Sequence, residues 1–192
     1  LELKTKTNKI QNLLKFKGIK NTIIAWSLNP QSIIDEEEFY SASLKERLDA
    51  ASECQRNGFK TAFHFDPVIL YEGWEKDYKA VIKKLFNHIS PENIPWISLG
   101  GLRYRPSMKP IVKTRFPTNK LMTGELLPCE DGKVRYFRPM RKKMYELMIG
   151  WLREYDKNLN LYFCMEDQDM WKEQFAGLPD YKNMENELFY RV

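Results

Sequence analysis

Phe63-His64-Phe65-Asp66-Pro67-Val68-Ile69-Leu70-Tyr71-Glu72-Gly73-Trp74 joins an apolar stretch on its left to a long amphipathic pattern on its right, with polar groups at the junction. Lys60 to Phe65 follows the breaker Gly58 and is rich in aromatic and small residues, which reads as a buried strand. Beyond the junction, Trp74, Tyr78, Val81, Ile82, Leu85 and Phe86 recur at helical spacing and define a core-facing stripe. His64 and Asp66 therefore sit at the carboxyl end of a strand that feeds a helix. In repeated strand–helix folds that end opens onto a crevice, and ligands collect there.

The same unit recurs on both sides. Upstream, Thr22-Ile23-Ile24-Ala25-Trp26 predicts a strand closed by Ser27-Leu28-Asn29-Pro30, because proline cannot extend a ladder. An acidic loop over Asp35 to Glu38 follows. Ser43 and Glu46 then form a capping box for a helix through Leu44, Leu48 and Ala51 that ends at Gly58. Downstream, Trp96-Ile97-Ser98-Leu99 predicts a third strand running into Gly100-Gly101. Three rounds of strand then helix argue for an α/β fold with parallel strands. Successive carboxyl ends would then place Ser27, Asn29, His64 and Ser98 around one crevice.

The rhythm changes after a helix expected over Ser107 to Phe116. Leu121 to Leu127 and Val134 to Phe137 flank Glu130-Asp131-Gly132, whose Asp-Gly step supports a small hairpin-like insertion. Met140, Met144, Leu147, Met148, Trp151, Leu152 and Tyr155 mark another long helix, with methionines as flexible core filling. Leu159 to Cys164 is a last strand and Asp169 to Phe175 a short helix. The charged end, 179–192, reads as a tail. At the other terminus Leu1 to Lys20 holds six lysines and one acid, and Ile10, Leu13, Leu14 and Phe16 share one helical face. We expect a short helix there, either solvated or acting as a binding arm, with the edge of the Thr22 to Trp26 strand either exposed or covered by this lysine-rich segment.

A chain of 192 residues with 43% apolar content supports one core, so residues 1–192 are expected to form a single domain piece. Three widely spaced cysteines, Cys54, Cys129 and Cys164, supply neither a disulfide framework nor a zinc motif and fit a cytoplasmic chain. No apolar run is long enough to span a membrane. The formal charge of +5 is concentrated: residues 101–145 carry twelve Lys or Arg against three acids, with Tyr104, Phe116, Tyr136 and Phe137 interleaved. Cations neutralise phosphates and aromatic faces stack on bases, so this composition suits a nucleic-acid surface, DNA included, as well as a merely solvated one. His64 and Asp66 lie two apart on one strand face and could share a proton or bind a ligand, or serve as structural hydrogen-bonding groups.

Ser27-Leu28-Asn29-Pro30, His64-Phe65-Asp66-Pro67 with Tyr71-Glu72-Gly73-Trp74, Trp96-Ile97-Ser98-Leu99-Gly100 and Gly132-Lys133-Val134-Arg135-Tyr136-Phe137-Arg138-Pro139 together resemble the spore photoproduct lyase-like radical S-adenosylmethionine (radical SAM) proteins. These pieces occur in order across residues 22 to 166. The resemblance implies the carboxyl-terminal part of a partial (β/α) barrel that works with S-adenosylmethionine and a four-iron four-sulfur cluster. It implies Ser27, Asn29 and His64 as cofactor-facing residues and Arg135 and Tyr136 as substrate-facing ones. It also implies a 5′-deoxyadenosyl radical that abstracts hydrogen, in DNA photolesion repair or on a non-DNA substrate. A nucleic-acid-binding module without catalysis is the alternative. The C-x-x-x-C-x-x-C motif that holds such a cluster is absent. We therefore expect the ligands, and the hydrogen-donor cysteine of the authentic lyase, in an amino-terminal portion of the same protein, and no activity from these residues alone.

Overall fold

The computed structural model describes residues 1–16, 21–122 and 124–175. The tail expected over 179–192 lies outside the described residues, as does the end of the lysine-rich segment. In chain order the strands are β1 (Glu2–Thr5), β2 (Ile23–Ser27), β3 (Lys60–Val68), β4 (Ile97–Gly101), β5 (Arg103–Tyr104), β6 (Leu126–Pro128), β7 (Val134–Tyr136) and β8 (Leu161–Phe163). The helices are α1 (Gln31–Glu37), α2 (Leu44–Arg56), α3 (Trp74–His88), α4 (Met108–Arg115), α5 (Arg138–Arg153) and α6 (Gln168–Gln174).

Five strands form one sheet in the order β1-β2-β3-β4-β8, and every neighbouring pair is parallel. Parallel neighbours need long crossovers, and α1 with α2, α3, and α5 supply them. Their apolar stripes meet one face of the sheet, where Trp26, Phe63, Phe65, Ile97 and Leu99 join Leu48, Tyr78, Ile82, Met144 and Met148 in the main core. Alternate strand residues point the other way. Ile23, Ala25, Ala62 and Trp96 line this inner face of a partial barrel. The expected strand–helix alternation and parallel pairing are thus present.

A second sheet, β5-β7-β6, is antiparallel and forms the predicted insertion. Its turn is closed by Gly132 N–H donating to Cys129 O, with Gly132 at φ 74° in the region that side chains disfavour. The pairing is shorter than expected, starting only at Leu126, and β5 joins it as a third strand not anticipated from sequence.

Two expectations are corrected. The amino-terminal segment is a strand at Glu2–Thr5 followed by a 3-10 turn at Leu13–Lys15, not a short helix with Ile10, Leu13, Leu14 and Phe16 on one face. Its Ile10 is buried by tertiary contact rather than by a helical face. The segment does cover the edge of β2, as a paired strand with Glu2 beside Ile23 and Lys4 beside Ala25. Asp35 to Glu37 belongs to α1 rather than to a loop. Only Ile33 and Ile34 of that helix are buried, too short an apolar signal to register as periodicity. The capping box at Ser43 and Glu46 is present on both of its hydrogen bonds.

Candidate active site at the strand ends

Register puts Ser27 beside His64 and His64 beside Ser98 on three adjoining parallel strands. Side chains in register on parallel strands share a face, so all three belong to the inner face with Ala25 and Ala62. All three are buried. His64 Nδ1 is hydrogen-bonded to Ser98 Oγ at 2.6 Å, and His64 Nε2 to Glu2 Oε1 at 2.5 Å. The ring is therefore fixed at both nitrogens. The hydrogen bond with His64 holds the Glu2 carboxyl below its ordinary value, against a smaller opposing effect of burial and with added help from Lys4.

Asp66 does not share a proton with His64. Arg103 Nη1 donates to Asp66 Oδ1 at 2.6 Å and to Gly101 O at 3.2 Å, while its Nη2 lies 3.1 Å from Cys164 Sγ. Burial alone would raise the Asp66 carboxyl, but the hydrogen bond and charge of Arg103 outweigh it and hold the group below its ordinary value. Gly100 makes room for this pair. A Cβ there would sit well inside contact distance of Asp66 Oδ1 and 2.9 Å from Arg103 Nη1.

Asn29 is placed differently from its neighbours. Its amide donates to Glu38 Oε1 at 2.8 Å and its carbonyl accepts from Tyr78 OH at 2.7 Å, which ties it to α3. Glu38 in turn pairs with the fully buried Arg47 at 2.6 Å, and Arg47 Nη1 caps Ser27 O at 2.9 Å. Asn29 is thus fastened into a network that shapes the end of β2. Its amide and its carbonyl are both engaged there.

Arg135 and Tyr136, expected to face substrate together, are adjacent on β7 and so point to opposite faces of the small sheet. Arg135 forms an ion pair with Asp131. Tyr136 packs with Ile69, Leu102 and Tyr104, and its hydroxyl accepts the Leu70 N–H at 3.0 Å. Burial pushes that phenol up to about 12, so it is neutral at physiological pH. Tyr136 also lines a cavity of about 600 Å³ whose wall includes Ile33, Ile69, Tyr71, Leu121 and Glu37. The cavity lies where α1 and the β3–α3 connection meet the insertion, on the carboxyl side of the sheet.

Glu2, Lys4, Arg103 and Cys164 were not singled out from sequence as members of this site. The alternation of strand residues could have flagged Cys164, but the Glu2–His64 contact spans 62 residues and leaves no local signal.

The family model of spore photoproduct lyase matches residues 1–145. The chain belongs to the spore photoproduct lyase family. Spore photoproduct lyase of Clostridium acetobutylicum is 30% identical over 162 residues, which is 83% of this chain and 47% of that protein. The Bacillus subtilis enzyme is 26% identical over 128 residues, 65% of this chain and 37% of its own length. Among solved structures, spore photoproduct lyase complexed with dinucleoside spore photoproduct superposes with a TM-score of 0.78 at 22% identity, covering 85% of this chain and 51% of that one. A double mutant of a spore photoproduct lyase with bound AdoMet and dinucleoside spore photoproduct gives 0.75 at 21%. At these identities the structures establish the shared fold. The chain spans about half the length, or less, of the relatives it matches.

Proposed function

We propose that this chain forms the carboxyl-terminal half of a spore photoproduct lyase-like radical S-adenosylmethionine enzyme acting on a DNA photolesion. The observation that carries the reading is the in-register row Ser27, His64 and Ser98, buried and polar at the carboxyl ends of three parallel strands. The chemistry of the donor set suits the zwitterionic cofactor. Hydroxyls, an imidazole, the half-exposed Glu2 carboxylate and the exposed Lys4 ammonium stand beside small residues that leave space.

In this reading Ser27 offers its hydroxyl to the cofactor and His64 presents its ring as a wall, its two nitrogens held in one orientation by Ser98 and Glu2. Asn29, Tyr78, Glu38 and Arg47 fix the backbone that presents Ser27. The bound cofactor would supply the 5′-deoxyadenosyl radical for hydrogen abstraction. The protein's own part is orientation and exclusion of competing partners. Tyr136, with the cavity it lines, offers an aromatic wall to the lesion.

The iron–sulfur cluster does not fit this chain. Cys54 is buried in α2, while Cys129 and Cys164 directly follow β6 and β8, strands of separate sheets. Among the described residues no group of three metal-ligating side chains comes together. The cluster would be held by residues other than these, in a reducing compartment such as the cytoplasm, which the unpaired cysteines suit.

The test has two readings. The complete reading frame should encode a three-cysteine motif, and its product should convert dinucleoside spore photoproduct to its two separate nucleosides only with S-adenosylmethionine present. His64→Ala should weaken S-adenosylmethionine binding about tenfold, since it removes the ring from the site and frees Ser98 and Glu2 from the two hydrogen bonds that position them, each worth roughly 0.5–1.5 kcal/mol. A reading frame without the motif, or undiminished cofactor binding in a folded variant, overturns the proposal.

A further inference from the structure

The twelve cations of residues 101–145 are not equivalent in the structure. Seven are matched by carboxylates: Arg103 by Asp66, Lys133 and Arg135 by Asp131, Arg138 and Lys142 by Glu173, Arg141 by Glu166 and Lys143 by Glu75. Lys120 also has a partner. The four that remain, Arg105, Lys109, Lys113 and Arg115, make no ion pair among the described residues. They lie together on α4 and the turn before it. No acid occurs between Arg103 and Glu125 to neutralise them from nearby in sequence.

This segment is also unusual in how little it packs. No residue of α4 is buried, and Met108, Ile111 and the following Phe116 are 45%, 54% and 45% exposed. Eight residues make a marginal helix in water without a partner for its surface. Phe116 instead stacks on Phe39, itself exposed, with ring centroids 5.8 Å apart, and the neighbouring Tyr40 is fully exposed. Lys109 and Lys113 share one flank of the helix, about 6 Å apart along its axis. Unmatched cations beside solvent-facing rings complement a polymer of phosphates and bases.

We infer that α4, with Arg105 and the Phe39–Phe116 pair, is a docking surface for the phosphodiester backbone of DNA outside the lesion itself. The inference rests on the proposed DNA substrate and adds the place where its flanking strand is held. The positions are continuous with the site. α4 leaves β4 through β5 at the carboxyl side of the sheet, and the chain after Phe116 returns along the cleft lined by Phe39 and Asn119 to Leu121 in the wall of the Tyr136 cavity. Acids bound the surface on one side: Glu36 and Glu37 face that cleft, and Glu37 is engaged by Asn119. The backbone would therefore run over the outward side of α4 and not through the cleft.

The experiment measures binding of the 192-residue chain to an undamaged fluorescent duplex, without S-adenosylmethionine, across a salt series. The logarithm of affinity should fall linearly with the logarithm of salt. The variant with Arg105, Lys109, Lys113 and Arg115 all changed to Gln should lower the slope by about 2–4 and weaken binding at low salt by tenfold or more. Replacing the four by the alternative cation, Arg by Lys and Lys by Arg, should retain the slope. Lys142→Gln with Lys143→Gln, which removes matched charges, should change it little. Equal slopes in the Gln variant and the parent, or a greater loss on changing Lys142 and Lys143, overturns the inference. So does Ile111-dependent partition into anionic lipid vesicles, or Ile111-dependent self-association, in place of DNA binding. Because the probe carries no lesion, failure here leaves the lyase reading standing, and failure of the lyase reading leaves this binding measurable.

Discussion

Gly100 shows how a single residue type is dictated by the ion pair behind it. The Asp66–Arg103 pair occupies the space where any side chain at position 100 would begin. Asp66 is a short, nearly buried side chain that Arg103 holds through both terminal nitrogens, so it has little room to swing aside. Gly100→Ala should therefore destabilise the protein by about 1–3 kcal/mol, the usual cost of forcing atoms into filled space. Urea unfolding would read this as a lower midpoint at unchanged slope. A midpoint equal to that of the parent would show that the pair shifts freely and does not constrain the site. The same scale shows what the sequence did not reveal about Asn29. Its position at a strand end is right, but Tyr78 from α3 and Glu38 take up its amide, and neither contact is visible in the local pattern.

At the scale of elements, strands that end in a breaker and helices with a continuous apolar stripe were legible, as β2, β3, α2, α3 and α5 demonstrate. Each carries its own signal: β-branched and aromatic runs, a capping box, or buried residues three and four apart. β1 carries none. Its four residues alternate Glu, Leu, Lys, Thr, and three of them are exposed, so only pairing with β2 makes the segment a strand. That pairing brings Glu2 to His64 and moves the sheet edge from the apolar β2 to a four-residue strand carrying Glu2 and Lys4, charges that discourage further pairing. Residues beyond β1 add to the seal, since Trp26 Nε1 donates to Thr7 O at 2.9 Å and Lys6 pairs with Glu38 at 2.9 Å. Deleting residues 1–8 should leave the sheet folded but convert β2 into an open edge, and sedimentation velocity should then show concentration-dependent association absent from the parent. A monomeric truncated chain would mean that the edge is protected by something other than β1.

Over the whole molecule, the inner face and its supports are tied together by carboxylates whose ionisation folding favours. Glu2 is lowered chiefly by its hydrogen bond with His64. For Glu38 and Asp66 burial acts in the raising direction, yet the hydrogen bonds of Asn29, Lys6 and Arg47 in one case and of Arg103 in the other outweigh it. These groups connect β1 to β3, the β2 end to α2, and β3 to β5, so one acid transition should loosen several contacts at once. The sign follows from proton counting. A carboxyl with a lower pKa folded than unfolded leaves the unfolded chain binding more protons between the two values, and stability rises with pH through that interval. From ordinary values of 4.5 for Glu and 3.8 for Asp, the contribution is complete above about pH 5 and is lost as pH falls through the lowered folded values. The urea midpoint should accordingly change little from these groups between pH 7 and 5 and fall steeply below pH 4.5. Asp66→Asn should be less stable than the parent at pH 7, because Arg103 loses its charged partner, and should lose less on acidification. Parallel pH profiles for the parent and the Asn variant would show that the Asp66–Arg103 pair does not couple the strand ends to the acid transition.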